Sequence, residues 1–181
     1  DYTGEERGPL TVTLPGEALA GSPEITLLHS GENSFPFSFE ATWTAETPVS
    51  SADAPLELDT ALYSTSADMG DTVRLSATVE NRVDNEVSSP LIRLGLPAGA
   101  RAQIWQLKRM AERGEIASFE TRPREVILYL DGLMARERRS FHLDLSADVP
   151  GDFTAPPSSA YLYYDNQRRD WDAGLALSIK P

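Results

Sequence analysis

RAQIWQLKRMAERG, residues 101–114, is the one stretch of this chain that reads as a helix, and its isolation decides the fold class. Ile104, Leu107, Met110 and Ala111 recur at the 3.6-residue period and form an apolar stripe. Gly114 stands where a left-handed C-cap is expected. Lys108, Arg109 and Arg113 crowd the C-terminal half, where cations complement the helix dipole. On the helical wheel Trp105, Lys108, Arg109 and Glu112 face away from the stripe. An aromatic and two cations on the outer side of a helix make that face the candidate binding site. The plainer alternative is a crossover helix whose Trp folds back over the rim of a sandwich.

Outward from the helix the periodicity changes to two. FHLDLSADV, residues 141–149, alternates Phe141, Leu143, Leu145, Ala147 and Val149 against His142, Asp144, Ser146 and Asp148. Residues 73–79 turn Val73, Leu75, Ala77 and Val79 inward in the same way. VILYL, residues 126–130, is apolar on both faces, as a strand covered on both sides would be. Further strands are expected at 56–63, 91–96 and 175–179. YLYY at 161–164 reads as a core strand and 165–172 as a loop. DMGD at 68–71 and the segment 81–90 read as turns. Before the linker-like TAETPVSSADAP of residues 44–55, three short strands are expected at 10–14, 24–28 and 35–43. The last of these sets Phe35, Phe37, Phe39, Ala41 and Trp43 on one side. Three strands do not close a core, so this part has to lean on something else. The expected fold is all-β: an antiparallel β-sandwich with one crossover helix, preceded by a few extra strands. The expected layout is 1–45, a linker at 46–55, and the sandwich at 56–181.

Composition restricts the chemistry. The 181 residues contain no cysteine, which excludes disulfides, thiolate metal sites and a cysteine nucleophile within them. A net charge of −12 argues against nucleic acid and anionic membranes. The charge is uneven: residues 101–139 hold nine basic and six acidic side chains, a local +3 that leaves −15 elsewhere. A locally basic region on an acidic body suggests a docking face, although Arg136, Arg138 and Arg139 read as a solvated hairpin edge. His29 and His142, the only histidines, stand far apart, with no nucleophile–base signature and no metal-ligand spacing. Asp165, Asn166, Asp170 and Asp172 are rich in oxygen but lack a calcium-loop register, and Arg168 and Arg169 stand among them. The expectation is a non-enzymatic chain without cofactor or metal. No apolar run reaches the ~18–20 residues of a membrane span.

A family resemblance begins at residue 91. LIRLGLPAG, RMAERGEI, REVILYLDGL, RSFHLDLSADVPG and SAYLYYDNQRRDWDAGL follow one another as in the C-terminal receptor-binding domain of the alpha-2-macroglobulins and related thioester-containing complement proteins. The resemblance covers residues 56–181. Residues 10–43 resemble the last strands of the CUB domain that precedes it in that family. The resemblance implies a C-terminal piece of a broad-range protease trap, starting within the CUB region, with bait region and thioester motif upstream. It implies an extracytoplasmic location, and as partners the other domains of the parent protein, a protein receptor and, through the parent, target proteases. In the animal members two lysines one helical turn apart engage a scavenger receptor. Alignment on RMAER places Trp105 and Arg109 at those positions, with Lys108 beside them. Arg and Trp do not present the compact ammonium pair, so the same receptor chemistry is not implied. The absence of cysteine and the preference for Arg over Lys fit a bacterial member. The alternative is a free-standing adhesion module that binds through the helix face.

Overall fold

The computed structural model describes residues 12–14, 26, 28, 36–40 and 44–181. The chain divides into Asp1–Thr42 and Trp43–Pro181, and the architecture below belongs to the second unit. Of the expected upstream strands, most residues lie outside the described ones; residues 12–14 and 36–40 are not in strands.

Two sheets enclose one core. The first is built from β1 (Leu56–Leu62), β3 (Thr72–Asn81), β10 (Arg138–Ala147) and β6 (Ala100–Ala102), in that order. The second runs β13 (Asp165–Asp172), β12 (Ser158–Leu162), β5 (Pro90–Gly95), β8 (Glu125–Tyr129), β7 (Ser118–Arg122). All pairings within these two sheets are antiparallel. A small sheet of β11 (Gly151–Thr154), β14 (Ala176–Lys180) and β2 (Ser66–Asp68) includes one parallel pairing, β14 with β2. A two-residue ladder joins β4 (Val87–Ser88) to β9 (Gly132–Leu133).

The core follows the alternation. Val73, Leu75, Ala77 and Val79 of β3 and Phe141, Leu143, Leu145 and Ala147 of β10 are buried against Ile92, Leu94, Val126, Leu128 and Ala160 of the second sheet. A Leu moved fully out of water contributes about 1.5–3 kcal/mol, so a dozen fully buried side chains outweigh local propensity throughout this unit. Strand β8 is covered on both faces, as its composition required: Val126 and Leu128 enter the core, and Ile127 is buried on the opposite side.

Residues 87–88 and 90 of the expected turn at 81–90 lie in β4 and β5, and Val149, expected inward, is 52% exposed. Three departures are larger. Residues 165–172 are a strand, not a loop. Trp171 is the one apolar side chain of β13, so no apolar alternation marks it, yet the two faces are distinct: Arg169 and Trp171 share one, Asp170 and Asp172 the other. The Asp170 carboxylate accepts the backbone N–H of Leu58 at 2.7 Å, and that of Asp172 accepts the N–H of Thr60 at 2.7 Å and its hydroxyl. These carboxylates supply the rungs that β1, at the edge of the first sheet, otherwise lacks, and they join the two sheets along one side.

The second departure concerns the tyrosines. Strand β12 ends at Leu162, and Tyr163 and Tyr164 stand in the following turn, 54% and 90% exposed, outside the core. Thirdly, residues 50–55, expected as linker, are tied to the sandwich. Ser51 N–H donates to the Arg169 carbonyl at 2.9 Å, Trp171 N–H donates to Ser50 Oγ at 2.8 Å, and Ala54 is buried.

The carboxylate rungs carry a measurable share of stability. A hydrogen bond to a charged group contributes about 1.5–3 kcal/mol, and Asp172 receives two from a residue that is itself buried. Asp172→Ala is expected to lower the melting temperature by about 5–10 °C, at the ~2–4 °C per kcal/mol typical of this size. Asp172→Asn, which keeps one acceptor oxygen, should recover part of the loss. A melt of Asp172→Ala matching the parent would show that the rungs do not hold the sheets together.

Candidate functional site

The helix α1 spans Ile104–Glu112, shorter at both ends than the segment 101–114. Residues 100–102 are drawn into β6, where Ala102 pairs with Leu145 and Ala100 with Ala147. Gln103 opens the helix without a side-chain cap. At the other end the expected glycine termination is present. Gly114 has φ +70°, its N–H donates to the Ala111 carbonyl, and Glu115 N–H donates to the Met110 carbonyl, both at 3.0 Å. That is the paired arrangement of a Schellman cap.

Leu107 and Met110 bury the helix against the sandwich and Ala111 is half-buried, but Ile104 is 49% exposed. The inward stripe is therefore narrower than expected. With residues 100–102 held in the sheet, the first turn emerges past the edge of the core, and Ile104 lies at the lip of a groove of about 540 Å³ that Ala102, Val126 and Val149 also line.

A residue that looked like ordinary surface fixes the helix in place. Gln106 Nε2 donates to the His142 carbonyl at 3.0 Å, and its Oε1 accepts Asp144 N–H at 2.8 Å. The side-chain amide continues the ladder on β10 beyond the last residue of β6, acting as one more strand residue. Nothing in the period of residues 101–114 distinguishes Gln106 from any other polar position, since its role depends on an edge formed 36 residues later.

The four candidate residues lie together on the outside. Trp105 is 53% exposed, and Lys108, Arg109 and Glu112 are exposed. The Arg109 guanidinium lies over the Trp105 ring, 5.2 Å from its centroid, the one-turn stacking that the spacing suggests. Among the described residues neither Lys108 nor Arg109 has a salt-bridge partner. Beside the stack lies a hollow of about 230 Å³, walled by Trp105, Arg109 and Arg113 on one side and by Phe141 and His142 on the other. It is smaller than the ~300–1,000 Å³ of a small-molecule pocket.

The remaining sequence candidates are occupied otherwise. His142 is exposed and meets Tyr63 edge-on at 6.3 Å. The oxygen-rich segment is divided: Asp165 pairs with Arg168, while Asp170 and Asp172 bond β1. Among the described residues no group of three or more His, Asp or Glu could hold a metal ion. Arg136 pairs with Asp84 at 2.8 Å and Arg138 with Glu80 at 3.3 Å. No described helix is long and apolar enough to cross a membrane.

No family model and no curated protein sequence matches the chain. Solved structures do. Escherichia coli alpha-2-macroglobulin activated by trypsin superposes with a TM-score of 0.58 and 18% identity, over 72% of this chain and 11% of that one. Salmonella alpha-2-macroglobulin reacted with methylamine matches with a TM-score of 0.60 and 18% identity, over 74% of this chain and 10% of that one. The native Escherichia coli protein from domain MG7 to the C-terminus matches with a TM-score of 0.56 and 19% identity, over 74% of this chain and 25% of that one. The chain therefore has a fold found in bacterial alpha-2-macroglobulins, and it spans a quarter or less of the length of each of these structures.

Proposed function

We propose that this chain is the C-terminal part of a bacterial alpha-2-macroglobulin-like protease trap, a non-catalytic module that works by docking rather than by chemistry. The shared fold supports the relationship, and one observation carries the mode of action: a solvent-facing Trp105–Arg109 stack on the only helix among the described residues. An exposed Trp costs contact with water and contributes little here to the core. Trp and Arg are the residue types that dominate binding hot spots. Leu107, Met110 and the Gln106 amide anchor the helix to the sandwich, so the backbone that carries Trp105, Lys108, Arg109 and Glu112 needs no ordering at the moment of binding.

On this reading the face contacts another domain of the parent protein or a protein receptor. Residues upstream of the sandwich complete a CUB-like domain, target proteases are met through the parent, and the protein works outside the cytoplasm. The gene upstream of Asp1 should encode a Gly-Cys-Gly-Glu-Gln thioester motif or repeated macroglobulin domains; a start codon directly before Asp1 overturns the parentage and favours a free-standing binding module.

The docking role is tested separately. In a Trp43→Phe, Trp171→Phe background, acrylamide should quench Trp105 strongly. Trp105→Ala should weaken binding to the rest of the parent protein by about 2 kcal/mol, roughly 30-fold, and leave the melt unchanged. A protected Trp105 whose removal collapses the melt would sink the docking role and return the helix to a purely structural one.

A further inference from the structure

A second face, independent of the helix, carries an unmet charge. It lies on the outer side of the five-stranded sheet, where β13, β12, β5 and β8 run side by side. The Arg169 guanidinium stands 3.8 Å from the centroid of Tyr161 and 5.0 Å from that of Trp171, set between two rings. It forms no salt bridge among the described residues, unlike its sequence neighbour Arg168, which pairs with Asp165 at 2.5 Å. The nearby carboxylate is already shared: Glu125 holds Arg93 at 2.6 Å and Arg122 at 3.7 Å. Burial disfavours the charged form of Arg169 and pushes its pKa down, an effect that the neighbouring Arg93 charge adds to and that Tyr161 and Glu125 offset only in part. The same face hides a second unmet group. Ser159, opposite Trp171 and Arg93 in register, is fully buried, and its hydroxyl has no hydrogen-bond partner.

A half-buried cation with no carboxylate within salt-bridge distance is costly unless something supplies one. Contact with both rings restrains the guanidinium, and its planar set of N–H groups offers a fork that matches a carboxylate. We infer that the outer face around Arg169 is a docking site for an acidic segment of a partner protein, whose Asp or Glu carboxylate is taken by Arg169 between Tyr161 and Trp171. Local charge sets the occupant: among the described residues Arg169 has no carboxylate within salt-bridge distance, and an Asp or Glu of a partner supplies one. The edge of β13 is covered by Ser50 and Ser51, so the segment lies on the sheet face and adds no strand.

The test uses the 181-residue chain with Trp43→Phe and Trp105→Phe, so that Trp171 alone reports. The probes are acetyl-VEVEV-amide, its neutral counterpart acetyl-VQVQV-amide, and sodium acetate. The acidic peptide should change Trp171 emission saturably and bind about tenfold tighter than the neutral one, the worth of one charge-assisted bond. Its affinity should fall with added salt. Arg169→Gln should remove that preference, and Arg169→Lys, which keeps the charge but not the planar fork, should lose part of it. Equal binding of the two peptides to the unsubstituted Arg169 protein overturns the proposal, even if Arg169→Gln fails to fold. Acetate saturating the same change at the peptide's concentration also overturns it, since the site would then take a free anion. None of these residues belongs to the helix face, so either site can fail while the other stands.

Discussion

Asn81→Leu should unfold this domain more readily than any other single polar substitution in it. Asn81 ends β3 with no exposed surface. Its amide Nδ2 donates to the carbonyls of Asn85 and Met134 at 2.8 Å and of Leu133 at 3.2 Å, and its Oδ1 accepts Val83 N–H at 3.0 Å. One side chain thus closes the turn after β3 and clamps it to the turn after β9. Leucine fills a similar volume but removes the donors to three carbonyls and the acceptor for Val83 N–H, although the Met134 carbonyl keeps the Glu137 N–H at 3.0 Å. Each buried orphan costs about 1–3 kcal/mol, so a total near 4 kcal/mol is expected, with a melting temperature lower by about 8–16 °C. Asn81→Asp separates the causes. It keeps the shape and the acceptor for Val83 but points oxygen lone pairs at three carbonyls, so it should melt as early as the leucine variant. If aspartate restores the parent melt, packing rather than donation explains Asn81.

Gly95→Ala should be nearly as damaging for a different reason. An added Cβ at Gly95 would sit 1.9 Å from the Pro156 carbonyl oxygen, and one at Gly174 would sit 2.1 Å from that of Ala155. Backbone, not a flexible side-chain end, occupies both spaces, so the segment before β12 would have to move. The movement would also strain the bond from Gly95 N–H to Ser158 Oγ, 3.1 Å and buried. Overpacking costs about 1–3 kcal/mol and more where backbone must shift, so a fall of at least about 6–10 °C in melting temperature is expected. Gly114→Ala is the comparison. No atom lies within 4 Å of its Cβ position, and only the φ of +70° opposes the methyl group, at about 1–2 kcal/mol. If both variants melt alike, close approach is not the reason for glycine in β5.

Val73 to Val79, Phe141 to Ala147 and Val126 to Leu128 were legible because burial of one or both faces writes itself into composition. The helix and its Gly114 cap were legible for the same local reason, and so was the outward set Trp105, Lys108, Arg109 and Glu112. Strand β13 was not. Its inner face is held by carboxylates on β1 amides and its outer face by rings around Arg169, and neither arrangement alternates in hydrophobicity. Tyr163 and Tyr164 misled in the opposite sense, since aromatic residues signal a core only when the chain turns them toward one.

Sequence alone determined the class: an all-β fold with one helix among the described residues, a core made by period-two runs, and an absence of cysteine chemistry. These depend on interactions within a few residues, or on the averaged preference of apolar side chains to leave water, and both are properties of a local window. Tertiary structure decided where polar groups found partners. Gln106 completes the ladder of β10, Asp170 and Asp172 rung β1, Asn81 ties two turns, and Arg169 lies against two rings without a salt bridge among the described residues. Each outcome depends on which backbone edge arrives opposite a given side chain, 36 residues away for Gln106 and 112 for Asp172. A hydrogen bond is directional and short, so its partner is set by the assembled geometry and not by the pattern of the chain.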